Sequence, residues 1–207
     1  MRKEPRINTI LDCENEISTG AFHKIYDTQY QEINVESCLS EYEFNGCVFE
    51  KVNFNQNDLD HCTLIDCVFD HCDLSNVDMS TSCLRRVEFK HCNLVGIDAS
   101  VCVLEDVLFY RCNARLSNLS NSQIKNCEWK ENRMDECSMN DCRIKGLTLD
   151  NCVFTGAEFL HTSLNKIDFS TSVIEGIALS GPELKGILVS PYQAVDLAKI
   201  LGIEVKE

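Results

Sequence analysis

The chain has 207 residues, of which 33 are acidic and 19 are basic, so its formal net charge is −14. This acidic balance argues against direct binding to nucleic acid, because phosphates would repel it. The chain contains no apolar run near the roughly 18 residues that a membrane helix needs. Its first residues, Met1-Arg2-Lys3, lead into polar sequence rather than the apolar core of a signal peptide. We therefore expect a single cytoplasmic domain without membrane contact.

The first 38 residues follow no fixed period. They carry scattered apolar residues, among them Ile10, Ile17, Tyr30 and Val35. These are enough for irregular strands or a partial first coil, and a repeat array needs an atypical end. The sequence therefore predicts an N-terminal cap over residues 1–38.

From Phe44 to Val189 the chain repeats every five residues. All thirty positions whose number ends in 4 or 9 are apolar, and the side chain two residues earlier is usually small or β-branched, as in Cys47, Val52 and Ser82. A period of five fits neither a helix at 3.6 nor a flat strand at 2. Each unit is therefore predicted to be a short extended piece followed by a corner.

Four such units would close a square coil of twenty residues. Steps of twenty give an aromatic column in Phe49, Phe69, Phe89, Phe109 and Trp129, and an aliphatic one in Leu64, Leu84, Leu104, Ile124 and Ile144. Like side chains twenty residues apart are expected if successive coils stack and pair their backbones. About 7.5 coils at roughly 4.8 Å each predict a rod about 36 Å long.

Cysteine is unusually frequent, but its placement explains it. Of fourteen cysteines, eleven occupy the small inward position of the repeat: 47, 62, 67, 72, 92, 102, 112, 127, 137, 142 and 152. We interpret these as core packing rather than as a disulfide scaffold. The histidines that precede Cys62, Cys72 and Cys92 suggest zinc, yet adjacent extended residues point to opposite faces. The prediction is therefore no metal site.

Nothing in the chain indicates catalysis. No histidine is placed by its spacing near a nucleophile, and no glycine-rich loop lies between a strand and a helix. A narrow, filled coil also leaves no pocket. We therefore predict a binding protein rather than an enzyme, without a cofactor.

One side of the predicted coil is strongly acidic. It is built from residues 57–61, 77–81, 97–101, 117–121, 137–141, 157–161 and 177–181, which contain no Lys or Arg. Its candidate partner-binding residues are Asp58, Asp60, Asp78, Asp98, Asp141 and Glu158. We call this side the acidic face. Aspartates twenty residues apart should lie opposite one another in neighbouring coils, which costs stability through repulsion. The alternative is that each Asp only caps a turn.

Residues 191–207 end the repeat. Ser190 and Pro191 are typical of a helix start, and Gly202 is typical of a helix end before Ile203-Glu204-Val205, which we predict to be a strand. The apolar stripe of this helix contains Ala194, Leu197, Ala198 and Leu201. A helix of this kind can cover the open edge of the last coil, which would otherwise invite aggregation.

Two units, Cys72-Asp73-Leu74-Ser75-Asn76 and Cys92-Asn93-Leu94-Val95-Gly96, resemble the consensus of the pentapeptide-repeat family. The resemblance implies an all-β fold, a right-handed quadrilateral parallel β-helix of about 7–8 coils over residues 39–190. The family motif is specific for fold and weak for function.

At the C-terminus, Tyr192-Gln193-Ala194 followed by Leu201-Gly202-Ile203 resembles the signature of the Qnr quinolone-resistance proteins, as does the stretch 127–133. The resemblance implies a cytoplasmic homodimer joined through C-terminal residues Tyr192, Ala194, Leu197, Leu201 and Ile203. It also implies that the acidic rod mimics DNA and binds DNA gyrase and topoisomerase IV, protecting them from quinolones. A dimer would carry about one charge per 2.6 Å of rod, against roughly 1.7 Å for B-DNA.

The chain departs from this group in one respect. Plasmid-borne members interrupt their coils with two projecting loops, whereas the five-residue frame here is unbroken. Binding to a topoisomerase is therefore predicted more firmly than drug protection. The alternative is a repeat scaffold that binds an unrelated protein through its acidic face.

Overall fold

The computed structural model describes residues 1–17, 23–36, 38–55 and 57–206. Over these residues the chain is a parallel β-solenoid of about seven turns with one short C-terminal helix, which confirms the predicted fold class. Parts of the predicted N-terminal cap, residues 18–22 and 37, lie outside the described residues, as do Gln56 and Glu207.

Short parallel strands form two of the four sides of the coil. In the described part of the chain there are eleven, and every pairing between them is parallel. They are β1 (Asp12–Glu14), β2 (Lys24–Tyr26), β3 (Thr28–Gln31), β4 (Glu43–Asn45), β5 (Val48–Glu50), β6 (Thr63–Asp70), β7 (Cys83–Lys90), β8 (Val103–Glu105), β9 (Leu108–Tyr110), β10 (Gln123–Lys130) and β11 (Arg143–Asp150).

The register confirms a coil of twenty residues. Phe49 pairs with Phe69, and Phe69 pairs with Phe89. The other two sides of the coil are joined by single parallel bridges. Toward the N-terminus the step shortens: Tyr30 pairs with Phe49 at a step of nineteen, and Asp12 pairs with Thr28 at a step of sixteen. The N-terminal coils are thus shorter than twenty residues, which explains why the five-residue frame is lost before Phe44.

The corners of the coil adopt left-handed backbone conformations. Every described residue from 41 to 166 whose number ends in 1 or 6 has a φ of 51° to 78°. Most of these are not glycine, and an L-residue in this conformation costs roughly 1–2 kcal/mol. The fold tolerates the repeated cost because each corner lets the next extended piece turn inward and bury its central residue.

The core is the inside of the coil. Of the thirty central apolar residues, all but four are buried; Phe109, Ile144, Leu184 and Val189 are partly buried against the same core. The predicted aromatic column forms a continuous stack: the ring centroids of Phe49 and Phe69 are 4.6 Å apart. Phe89 continues it at 4.9 Å and Phe109 at 5.1 Å. Such stacking adds to the stabilisation from burial.

All eleven inward cysteines are buried and none is in a disulfide; Cys83 is half-buried, and Cys13 and Cys38 are exposed. Inward thiols donate to a carbonyl of the preceding coil, such as Cys62 to Leu39 at 3.0 Å and Cys102 to Met79 at 3.1 Å. Burial raises the pKa of both thiols to about 12. The eleven inward cysteines therefore pack the core, as the sequence predicted, and burial keeps Cys62 and Cys102 in the neutral form.

The C-terminal helix α1 (Pro191–Ile200) begins as predicted, since Ser190 and Gln193 form a reciprocal capping box. It ends in a Schellman motif: Gly202 N–H donates to Lys199 O and Ile203 N–H donates to Ala198 O, both at 3.0 Å. No helix within the described residues is long and apolar enough to cross a bilayer.

The predicted strand at Ile203-Glu204-Val205 was wrong, because residues 203–206 form no strand. Ile203 is held by the helix cap instead, and a strand requires a neighbouring edge with which to pair. Of the predicted apolar stripe only Leu197 is buried, whereas Leu201 is 55% exposed.

Candidate functional site

The acidic face carries a ladder of aspartates in neighbouring coils. Asp58 is bridged to Asp78 and Asp78 to Asp98, each as a parallel backbone pair. The ladder continues with uncharged residues through Asn118 and Ser138, and then reaches Glu158. Asp58 is exposed, and Asp78 and Asp98 are half-buried. The structure therefore places three like charges of adjacent coils side by side, an arrangement that repels and costs stability.

The carboxylates of this ladder also serve the turns that follow them. Asp78 Oδ1 accepts the backbone N–H of Ser80 at 2.9 Å, and Asp98 Oδ1 accepts that of Ser100 at 2.9 Å. Asn118 Nδ2 donates to Asp98 Oδ1 at 3.3 Å. The alternative interpretation, that these aspartates cap turns, is thus confirmed for Asp78 and Asp98. These bonds use one oxygen of each carboxylate, so the turn role does not exclude contact with a partner.

Two of the other predicted residues on the acidic face, Asp60 and Asp141, are not among the bridged residues of the ladder. Asp60 accepts from the hydroxyl of Ser40 and lies 2.7 Å from His61 Nδ1, and these two groups hold its pKa below the ordinary value. Asp141 Oδ1 lies 3.2 Å from His161 Nδ1.

Glu158 belongs to the ladder but stands three coils beyond Asp98. Its Oε2 accepts from Asn140 Nδ2 at 2.9 Å. The six predicted residues therefore share one side of the rod without forming a single cluster.

On the adjoining side, centred on Leu84, Leu104 and Ile124, acids pair with Arg85, Arg86 and Lys125. Arg86 binds Asp66 through two hydrogen bonds of 2.6 and 2.7 Å. Glu105 lies 3.3 Å from Arg85 Nε and also binds Lys125. The segments of the acidic face, by contrast, contain no Lys or Arg. Its negative charge therefore faces solvent without a base nearby in the sequence.

Residues 1–7, which we call the N-terminal arm, run along the corner between the two strand-bearing sides. The backbone N–H of Arg6 donates to Asp66 Oδ1 at 2.9 Å, and that of Lys3 donates to Asp106 Oδ1 at 3.1 Å. Asp66 and Asp106 are forty residues apart and stand at the same corner two coils from each other. Between these two bonds the arm therefore crosses three coils, and it runs from the coil of Asp106 toward the coil of Asp66.

Arg2 anchors this arm. Its side chain is 8% exposed, and its guanidinium lies 2.9 Å from Glu88 Oε1 and 3.6 Å from Glu128 Oε2. The register places Leu108 between these two glutamates. Leu108 is buried, although its position in the five-residue unit faces outward. The arm thus covers apolar surface and neutralises carboxylates at once.

The pKa of Asp66 reflects the hydrogen bonds that it accepts at this corner. Burial acts to raise its pKa, but the hydrogen bonds from Arg86 and from the backbone of Arg6 outweigh burial and keep the pKa below the ordinary value. Sequence reasoning missed this contact, since the arm lies outside the repeat. A signal was present in the basic residues Arg2, Lys3 and Arg6 within a strongly acidic chain.

Inside the coil the packing leaves little space. A cavity of about 20 Å³ lies near Ala99, Ala114 and Ser117 and is otherwise lined by apolar side chains. A volume of this size holds about one water molecule. It offers no room for a substrate, so the surface is where binding chemistry is available.

Comparison with known proteins accounts for this architecture. A family model described as a pentapeptide repeat region matches residues 66–136, and one described as pentapeptide repeats (8 copies) matches residues 43–80 and 133–176. Together these models cover residues 43–176. A comparison with curated protein sequences found no match.

Solved structures agree in fold. The pentapeptide repeat protein HetL, involved in heterocyst differentiation regulation in the cyanobacterium Nostoc sp. strain PCC 7120, is 12% identical over 81% of this chain and 87% of its own, with a TM-score of 0.57. Full-length QnrB1, a plasmid-mediated fluoroquinolone resistance protein, is 22% identical over 93% of this chain and 97% of its own, with a TM-score of 0.53. At these identities the likeness concerns the fold. On the evidence of the matched repeats and of the coil itself, the chain belongs to the pentapeptide-repeat family.

Proposed function

We propose that this protein is a DNA mimic that binds a type II topoisomerase, DNA gyrase or topoisomerase IV, through its acidic face. The observation that carries the proposal is the aspartate ladder of Asp58, Asp78 and Asp98 on a side whose segments contain no Lys or Arg. A groove that normally receives phosphates is lined with basic residues. It would attract a rod with regularly spaced carboxylates.

The distribution of charge supports this choice of face. Three bases in the N-terminal half of the adjoining side are bound to acids there: Arg86 to Asp66, and both Arg85 and Lys125 to Glu105. Arg2 and Lys90 both contact Glu88. A partner that approaches the acidic face therefore meets uncompensated negative charge, which gives fast, salt-sensitive association.

A homodimer through the C-terminal end belongs to the same proposal. Leu197 seals the last coil, but Tyr192 is 87% exposed and Ile203 is 54% exposed. Val195, Ile200 and Val205 are exposed in the same short segment. An apolar group of this kind at the end of a rod suits a second copy, and two rods joined end to end would double the length of the acidic surface.

Binding, rather than quinolone protection, is the activity we propose. The five-residue frame continues without the projecting loops that the Qnr resemblance associates with protection. A cytoplasmic location follows from this partner. The second candidate is a scaffold for an unrelated basic protein, which the charge of the same face would also serve.

The experiment is a binding measurement between the purified protein and gyrase or topoisomerase IV at low and high salt. A triple variant, Asp58→Asn with Asp78→Asn and Asp98→Asn, should bind at least about tenfold more weakly at low salt, because three charge contacts are lost. The matched control removes three charges elsewhere: Asp150→Asn, Asp168→Asn and Glu175→Gln. Equal binding by both variants would remove the acidic face from the mechanism, and no binding by the native protein would favour the unrelated partner.

The dimer is tested separately by light scattering. Tyr192→Glu combined with Ile203→Glu should give a folded monomer, since both side chains are exposed in the single chain. A dimer that survives this double change would place the interface elsewhere.

A further inference from the structure

Two histidines and one aspartate converge at a corner that the proposed function does not use. His71 Nδ1 lies 2.8 Å and His91 Nδ1 lies 3.1 Å from the same atom, Asp70 Oδ1. Ligand atoms of the three residues all lie within 4.8 Å of one another. Sequence reasoning rejected zinc between a cysteine and its neighbouring histidine, and it did not consider histidines of adjacent coils.

The coil itself imposes this arrangement. His71 and His91 are twenty residues apart and stand at the same corner with φ of 55° and 54°. Their rings stack with centroids 4.6 Å apart, and Tyr110 packs edge-on against His91 at 5.5 Å. Asp70 ends strand β6, so its backbone is fixed by pairing with β7. The three side chains are therefore held together by the solenoid before any ligand arrives.

Nearby cations are bound to other acids. Lys90 is next to Asp70 in register, yet its Nζ lies 2.6 Å from Glu88. The residues that flank the two histidines at this corner, Lys51 and Arg111, are paired with Glu32 at 2.7 Å and Glu131 at 2.8 Å. Asp70 is therefore shared by the two imidazoles, with no lysine or arginine ion pair to it among the described residues.

We propose that Asp70, His71 and His91 bind a divalent transition metal ion of the zinc class. Two imidazole nitrogens and one carboxylate oxygen are ligands that Zn²⁺ prefers. In the tetrahedral geometry typical of Zn²⁺, bonds of roughly 2.0–2.2 Å place ligand atoms about 3.3–3.6 Å apart. The two distances to Asp70 Oδ1 are 2.8 and 3.1 Å, so an opening of about 0.5 Å or less would bring both nitrogens to the lower end of this range. Water would complete the coordination on the exposed side.

The chain contains its own comparison for this site. His61 with Asp60 and His161 with Asp141 are also imidazole and carboxylate pairs at corners, at 2.7 and 3.2 Å. Each is one histidine with one carboxylate. Two ligands hold a metal ion more weakly than three, so metal should occupy the Asp70 site first. A bound ion would link two coils, since it joins His71 to His91.

The test is a titration of the full-length protein with Zn²⁺, monitored by nuclear magnetic resonance of the five imidazole rings. We expect the His71 and His91 signals to shift together and to saturate near one equivalent, ahead of His23, His61 and His161. His91→Asn should weaken the affinity at that site by about tenfold or more, since even changes around a ligand cost that much. Asparagine suits a left-handed corner, so the variant should fold.

Two controls keep the result specific. His161→Asn removes one histidine from a single pair and should leave the affinity of the Asp70 site unchanged. A variant with Cys13→Ser and Cys38→Ser removes exposed thiols that could bind zinc on their own, and it should behave as the native protein at His71 and His91. Simultaneous shifts of all five histidines, or no shift of His71 and His91 at millimolar Zn²⁺, would overturn the proposal.

Discussion

The hydroxyl of Ser122 satisfies the backbone N–H of Cys102, which lies one coil away. Ser122 Oγ accepts the backbone N–H of Cys102 at 2.9 Å and donates to the carbonyl of Ala99 at 2.9 Å. Ser82 plays the same part toward Cys62 and Leu59. Thiols and hydroxyls alternate along this inner corner, and each of them from Cys62 to Thr162 donates to a carbonyl of the preceding coil. The buried Ser117 hydroxyl, by contrast, has no hydrogen-bond partner.

Replacing Ser122 by Ala should therefore destabilise the protein. The change leaves the buried N–H of Cys102 unpaired, which costs about 1–3 kcal/mol in free energy of unfolding. Ser117→Ala is the matched control, because it removes the same atom from an equally buried position without breaking a bond. Its effect should lie within about 0.5 kcal/mol of zero or be stabilising. Urea unfolding measures both, and equal losses would contradict this account.

Stability should fall steeply in alkaline solution. Burial raises the pKa of Cys62, Cys102, Cys127 and Cys137 to about 12, from an ordinary value of 9.0. A raised pKa in the folded state gives stability that is complete below pH 9 and is lost as pH rises toward 12. In that window each such thiol lowers the free energy of unfolding by about 1.4 kcal/mol per pH unit. The urea midpoint should therefore be steady from pH 7 to 8.5 and fall clearly by about pH 10.5.

A single substitution checks that thiols cause this loss. Cys102→Ser introduces a group that does not ionise in this range, at a corner where Ser82 and Ser122 already fit. The alkaline slope of the free energy of unfolding should become shallower by about 1.4 kcal/mol per pH unit. An unchanged slope would assign the alkaline loss to other groups.

The N-terminal arm should contribute to global stability through Arg2. Arg2→Gln leaves Glu88 and Glu128 without their buried partner, and we expect a loss of about 2–3 kcal/mol. Lys3→Gln removes the same charge, yet Lys3 is exposed and binds Asp106 through its backbone. It should change the free energy of unfolding by less than about 0.5 kcal/mol. Hydrogen exchange at Arg6 would report release of the arm, and similar effects of both variants would argue against a specific anchor.

Backbone strain at a corner gives a further test. Val101 has a φ of 58° and is 54% exposed, which is unfavourable for a β-branched residue. Val101→Asn should stabilise the protein by about 1 kcal/mol, because asparagine tolerates this conformation. Asn121 occupies the same corner in the next coil and is also exposed. The reverse change, Asn121→Val, should therefore cost a similar amount by thermal unfolding, and no effect of either would remove strain as a factor.

Sequence reasoning predicted the coil well because the repeat is a local rule applied many times. Phe69 pairs with Phe89 for the same reason that Phe49 pairs with Phe69, so a period of five and a step of twenty determine register, core and corner together. The Asp78–Asp98 contact followed from the same step. Its partner-binding role stays a prediction.

The sequence by itself thus determined the solenoid, its inward cysteines and the side that carries acids without lysine or arginine. The tertiary structure decided which of these charges are compensated. Arg2 reaches Glu88 and Glu128 from a segment with no period, and no spacing rule relates residues so far apart. The direction of the His71 and His91 rings toward Asp70 is likewise a matter of side-chain rotamers at one corner. Periodic backbone pairing can be counted along the chain, whereas such contacts exist only once the coils have stacked.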